Sequence, residues 1–273
     1  MHPLDSSKYV SFIEENGTDL EKARFRQLIY GIRPEPGVVQ PLLELQNDDG
    51  GFPCKMTRGN PSSVNDTLRA VWWLAELGMI ESPAASRAFG YLFAIQKEDG
   101  GWDEIAAAAQ YGAPPWASPG DPRARLYLTA QTARWLALGG HKTHPAFQKA
   151  LDFLRAHRDE TGRFHGFLHT TWIATSVFVM AGDEYADVVA GGLRALMARP
   201  FSKWVDSQIS WALEVLGKAG LPQEEPFVEQ GLAELLHRQE VNGRWVSEDG
   251  EAYTVVATIG ALNALKQYDL LDI

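Results

Sequence analysis

The chain has 273 residues, 45% hydrophobic and 22% charged, an ordinary globular composition with enough apolar material for a sizeable core. A formal charge of −10, with no basic stripe, excludes a nucleic-acid partner, which needs Lys and Arg clustered against phosphates. The single cysteine, Cys54, excludes an intramolecular disulfide and fits a reducing compartment.

In chain order, two helices are expected over about 6–15 and 18–31, supplying one helical pair. Four segments then share a pattern: LLELQNDDGGF (42–52), LFAIQKEDGGW (92–102), FLRAHRDETGRF (153–164) and LLHRQEVNGRW (235–245). Each has an apolar helix end, then Gln (His157 in the third), then a Gly-containing turn closed by an aromatic residue. The step from Gln to aromatic is six residues in three copies and seven in the third. Gln closes a helix, Gly takes backbone angles other residues avoid, and the ring packs over the turn, so the turn joins two helices.

Strongly apolar helices follow, over 66–78, 128–140, 170–182, 205–217 and 253–265, and such helices must be buried on most sides. The helices before the turns carry one apolar stripe, such as Phe147, Leu151 and Leu154, or Val228, Leu232 and Leu235. A degenerate fourth outer helix is placed at roughly 184–199. Alternating amphipathic and buried helices predict an inner ring inside an outer ring. The fold class is therefore all-α, a closed α/α toroid of about six hairpins in a single domain, 1–273, with repeats at roughly 5–31, 35–78, 83–140, 144–182, 184–217 and 223–268.

The most apolar run, 173–181, falls far short of the roughly 20 residues that span a bilayer, and no transmembrane segment is expected. The N-terminal MHPLDSSKYV lacks a signal-peptide layout, so a cytoplasmic location is expected.

With the QNDDGGF and QKEDGGW turns, the chain resembles the glutamine–aromatic repeat proteins: squalene-hopene and oxidosqualene cyclases and the β subunits of protein prenyltransferases. The resemblance covers about 35–273. It implies a terpenoid cyclase-like isomerase, or a prenyltransferase-like protein, holding an isoprenoid or other largely apolar small molecule in a central cavity. Class II cyclases protonate an alkene or epoxide with an Asp-x-Asp-Asp-Thr motif at an inner-helix start. The matching stretch is Ser63-Val64-Asn65-Asp66-Thr67, with Asn65 at the proton-donor position and Ser63 at the first Asp. Asp66 remains as the candidate catalytic carboxyl, and Asp206, at a similar helix start, is a second; each alternatively serves as a first-turn acid on the helix dipole.

Each turn leads to the start of an inner helix, and the longest connection, 103–125, is a candidate lid with Tyr111 and Trp116 as contacts, or else an ordered surface loop. Aligning Thr67, Thr129, Thr171 and Asp206 selects a stripe facing the lumen. It holds Asn65, Arg69 and Trp72, then Tyr127, Gln131 and Arg134. His169, Trp172 and Ser176 follow, then Trp204, Gln208 and Trp211. Polar groups there mark a wet cavity or a hydrogen-bonded plug. Aromatic faces, including Tyr253, suit cation stabilisation. Arg69, Arg125 and Arg134 offer charge to a diphosphate, or else are solvated or ion-paired. No cofactor and no metal are expected: Cys54 reads as a packing residue, and Gly166 stands between His165 and His169. A noncatalytic binding or scaffold toroid is the alternative to an enzyme, and carbohydrate processing is a third reading. The sequence does not set the oligomeric state.

Overall fold

The computed structural model describes residues 6–271. Residue 5, where the first repeat is placed, lies outside the described residues, as does the first half of the N-terminal stretch. The chain is almost wholly helical: α1 (Ser6–Asn16), α2 (Asp19–Tyr30), α3 (Pro36–Leu43), α4 (Val64–Glu76), α5 (Pro83–Ala94) and α6 (Pro122–Leu138). Then come α7 (Pro145–Ala156), α8 (Leu168–Ala181), α9 (Ala186–Met197), α10 (Asp206–Lys218), α11 (Pro226–His237) and α12 (Thr254–Gln267). A two-residue antiparallel pair, β1 (Phe52–Pro53) and β2 (Ser62–Ser63), closes a small hairpin before α4, with Phe52 opposite Ser63. No described helix is long and apolar enough to cross a membrane.

The residues form two compact units, Pro36–Ala195 and the described residues up to Glu35 together with those from Leu196. In the first, α6 packs against α4 and α8, with α5 and α7 laid on this layer. In the second, α12 packs against α10 and α2, and α11 lies on α10. These helices are buried on most sides, as expected from their sequences: α6 buries twelve side chains and α8 nine. The outlying helices α5, α7 and α11 start with a cap residue followed by proline (Ser82-Pro83, His144-Pro145, Glu225-Pro226), where the fixed φ and missing N–H of proline do no harm.

All four repeat turns close with one hydrogen-bond pattern. Asn47, Lys97, Asp159 and Glu240 each donate N–H to the residue before the aromatic, and Gly50, Gly100, Gly162 and Gly243 donate back, at 2.8–3.0 Å. Those glycines have φ between +86° and +92°, which a side chain would strain.

The glutamine does more than close its own helix. Gln46 Nε2 donates to Gly50 O and to Ala84 O, and Gln96 Nε2 donates to Gly100 O and Ala146 O. Ala84 and Ala146 are the second residues of the following helices, so one amide ties a turn to the next hairpin.

In the third turn this pattern corrects the sequence alignment. Asp159 takes the place of Asn47, so the glutamine position is Arg158, not His157, and the step to the aromatic is six residues in every copy. Arg158 reaches the carboxylate of Asp187, the second residue of α9, at 3.6 Å, an ion pair where the first two turns use amide and carbonyl. His157 instead caps α7 and stacks on Phe153.

Candidate functional site

The aromatic of the turn and the buried helix after it meet through one threonine. Phe52 N–H donates to Thr67 Oγ1 at 2.8 Å, Trp102 N–H to Thr129 Oγ1 at 2.9 Å, and Trp245 N–H to Thr258 Oγ1 at 3.2 Å. The C-terminal turns of these helices share a second bond: the N–H groups of Met79, His141, Leu221 and Leu270 reach the carbonyls of Leu74, Leu136, Leu216 and Leu265. Seven residues before those leucines stand Thr67, Thr129, Ile209 and Thr258. The equivalent of Thr67 in α10 is therefore Ile209, and Asp206 lies three residues earlier than the sequence alignment puts it. On this register the α10 stripe runs through Ser207, Trp211 and Glu214, keeping Trp211 and displacing Trp204 and Gln208. Trp204 instead packs against Phe201 and Phe227 and donates its indole N–H to Arg199 O.

At the start of α4, Ser63 is the N-cap and its hydroxyl accepts Asp66 N–H. Asp66 is buried, at 7% exposure. Its Oδ2 accepts Lys55 N–H at 3.0 Å, and its Oδ1 lies 3.4 Å from the Arg69 guanidinium. Lys55 and Met56 hold left-handed φ of +57° and +52°, a conformation costly for residues with side chains, and the Asp66 carboxylate is one of the bonds that fixes it. Cys54 is buried beside this carboxylate, and burial, followed by the charges of Glu104 and Asp66, pushes its thiol up to about 11. It therefore stays a thiol at neutral pH and is neither a nucleophile nor a ready metal ligand.

Sequence reasoning missed Glu104, which is 5% exposed and lies 40 residues from the helix it serves. Its Oε1 accepts the N–H groups of Val64 (3.0 Å) and Ile105 (2.8 Å); its Oε2 accepts Ser63 Oγ–H (2.8 Å) and Asn65 N–H (3.0 Å). No local signal marks it: GGWDE offers two adjacent acids, but the helix start whose orphan N–H groups Glu104 satisfies lies 40 residues earlier.

Asp206 has a parallel setting. Its Oδ2 accepts Val246 N–H at 3.0 Å and its Oδ1 meets Arg238 at 3.2 Å. That guanidinium also donates to the carbonyls of Trp204 and Phe201 and to Glu234.

Along the predicted stripe, three pairs form within single helices, while Gln208 donates its amide to Glu248. Trp72 donates its indole N–H to Glu76 at 2.7 Å, Gln131 donates to the Tyr127 hydroxyl at 3.1 Å, and His169 lies edge-on to Trp172 at 4.8 Å. These i,i+3 and i,i+4 contacts place each set on one helix face. Arg134 stacks over the Trp135 ring, and Trp172 and Ser176 are fully buried. Arg125 is engaged by Asp99 and lies over Phe153, which fits the ion-paired reading. Trp116 and Tyr253 are exposed, at 37% and 53%. The 103–125 segment holds two short 3₁₀ turns with Ala108 and Ala117 buried. A concavity of about 580 Å³ lies elsewhere, lined by Met197, Arg199, Phe201 and Glu234 among others, and includes none of the predicted ligand residues. Among the described residues no three His, Cys, Asp or Glu side chains gather as a metal set.

No protein-family profile matches the chain, and no curated protein matches it. Solved structures do. A single-substitution variant of the type II terpene cyclase MstE from Scytonema, in its apo form, superposes with a TM-score of 0.64 at 14% identity, covering 97% of this chain and 96% of that one. Another MstE variant, in complex with geranylgeranyl dihydroxybenzoate as substrate, gives 0.61 at 16% identity, covering 97% of each chain. ent-Copalyl diphosphate synthase from Streptomyces platensis gives 0.58 at 16% identity, over 90% of this chain and 50% of that one. The chain has the all-α, terpenoid cyclase-like fold.

Proposed function

We propose that the chain is a terpenoid cyclase-like protein whose hairpins close an α/α toroid and bind an isoprenoid or other largely apolar small molecule, with Asp66 the remaining carboxyl of a degenerate acid motif. The observation that carries this reading is the fold likeness over 97% of the chain to type II terpene cyclases, one of them holding an isoprenoid substrate. Trp72 would supply a ring face to such a ligand, and Gln131, whose Oε1 is buried and accepts no described hydrogen bond, a polar contact.

A noncatalytic binding toroid is favoured by a different observation. Asp66 and Asp206 each have both oxygens engaged, Asp66 by Lys55 N–H and the Arg69 guanidinium and Asp206 by Val246 N–H and the Arg238 guanidinium, and the donor position is Asn65, whose amide has no proton to give an alkene.

Incubation with geranylgeranyl dihydroxybenzoate, geranylgeranyl diphosphate and squalene, followed by mass spectrometry, decides between them. Wild-type turnover that disappears in Asp66→Asn supports the acid assignment, and turnover unchanged in Asp66→Asn and Asp206→Asn removes it. Saturable quenching of tryptophan fluorescence with no product selects the binding protein. Neither binding nor product refutes the reading.

A further inference from the structure

Glu104 is a buried carboxylate for which the proposed ligand chemistry has no use, and its surroundings resemble those of a bound anion. Two donors reach each of its oxygens, four in all, at 2.8–3.0 Å, three of them from the first residues of the acid motif. The N–H groups of Val64 and Asn65 go to Glu104, and that of Asp66 goes to Ser63 Oγ, so the first turn of α4 has no donor left over. A helix start with its positive end and orphan N–H groups is where phosphate and carboxylate ligands bind. Here the chain supplies the anion itself, from the first residues of the 103–125 segment.

We propose that Glu104 is a built-in anion: it positions the acid motif by filling the anion site of α4, and it sets ligand specificity by refusing a phosphate or carboxylate there. A ligand group beside Asn65 and Asp66 is then neutral or apolar. A second anion would meet two carboxylates and no unused first-turn donors. The anion half of this inference stands apart from the isoprenoid reading, and the selectivity half rests on it.

The test uses the full chain, with inorganic pyrophosphate and acetate as probes. Glu104→Ala is expected to melt at a lower temperature and to recover, saturably, as either anion is added. Wild type and Glu104→Gln are expected not to respond, the latter because its amide still fills the site. Purely structural damage would not be repaired by an added anion. No recovery in Glu104→Ala, or equal recovery in wild type, overturns the assignment. Should Glu104→Ala not fold, Glu104→Gln carries the test through selectivity. Wild type should bind geranylgeraniol at least as tightly as geranylgeranyl diphosphate, and loss of the charge should shift the ratio toward the diphosphate by about tenfold, the effect of one charge-assisted contact. A wild type that prefers the diphosphate by that factor, or an unshifted ratio, overturns it. Failure of both isoprenoids to bind sinks the proposed function alone, and the pyrophosphate arm still decides the role of Glu104.

Discussion

Thr129 has no exposed surface, and its hydroxyl works in two directions, accepting Trp102 N–H and donating to Arg125 O. Thr129→Val keeps the shape and leaves that buried N–H without an acceptor, so it should cost about 1–3 kcal/mol in urea unfolding, with Thr129→Ser recovering most of the loss. A loss within error of zero would mean that the turn relaxes to find another acceptor. A second single-residue prediction concerns Cys54. Its thiol is 2% exposed and held protonated, pushed up to about 11, so a disulfide reagent at pH 8 should label it only as fast as the protein unfolds. Rapid stoichiometric labelling of folded protein would refute that. At this scale the sequence was uneven. Phe52, Trp102 and Trp245 were legible as turn aromatics because ring and glycine recur at fixed spacing. Glu104 was not, because three of the four donors that define it are contributed from about 40 residues away, and no local pattern reports a partner at that range.

At the scale of elements, the helices could be read because their apolar periodicity is local. The expected helices at about 6–15 and 18–31 are α1 and α2, and that at 184–199 contains α9. Register could not be read as well. His157 and Arg158 are adjacent polar residues at one helix end, and only the bond from Asp159 to Arg163 decides which takes the glutamine place. Likewise α10 has Ile209 where its relatives have threonine, so an alignment made on polar residues slid to Asp206. The stitch between hairpins gives an element-scale prediction. Gln96→Ala removes the donor to Ala146 O and Gly100 O and should cost about 1–3 kcal/mol. Gly100→Ala should cost more, because φ is +91° and the new Cβ would run into the backbone carbonyl of Lys149 on α7. Chemical denaturation of the two variants checks the order; a milder Gly100→Ala would show that α7 shifts freely on the turn.

At the scale of the molecule, protonation links scattered local contacts to one measurable curve. His141 sits against Phe89 and Phe93 near His144, and burial, then the neighbouring imidazole, lowers its pKa from the ordinary 6.5. The unfolded chain therefore binds this proton first as pH falls. The stability His141 contributes is complete above about pH 6.5 and is lost as pH drops through its folded value. Carboxylates add a second limb at lower pH. The Arg125 guanidinium holds Asp99 below its ordinary 3.8, and Arg123 draws Asp121 down to about 2. Their contribution is present above about pH 4 and disappears as pH falls through the folded values. Relief of the −10 net charge works in the opposite direction only down to the pI of about 5.2, and the net-charge effect is nearly the same in all variants, so differences isolate the terms. Wild type should lose stability relative to His141→Leu between about pH 7 and pH 5, and relative to Asp99→Asn only below about pH 4. Denaturation midpoints at unit pH steps measure both; parallel curves for wild type and His141→Leu would remove His141 from the first limb, and a wild type to Asp99→Asn difference that is flat below pH 4 would remove Asp99 from the second.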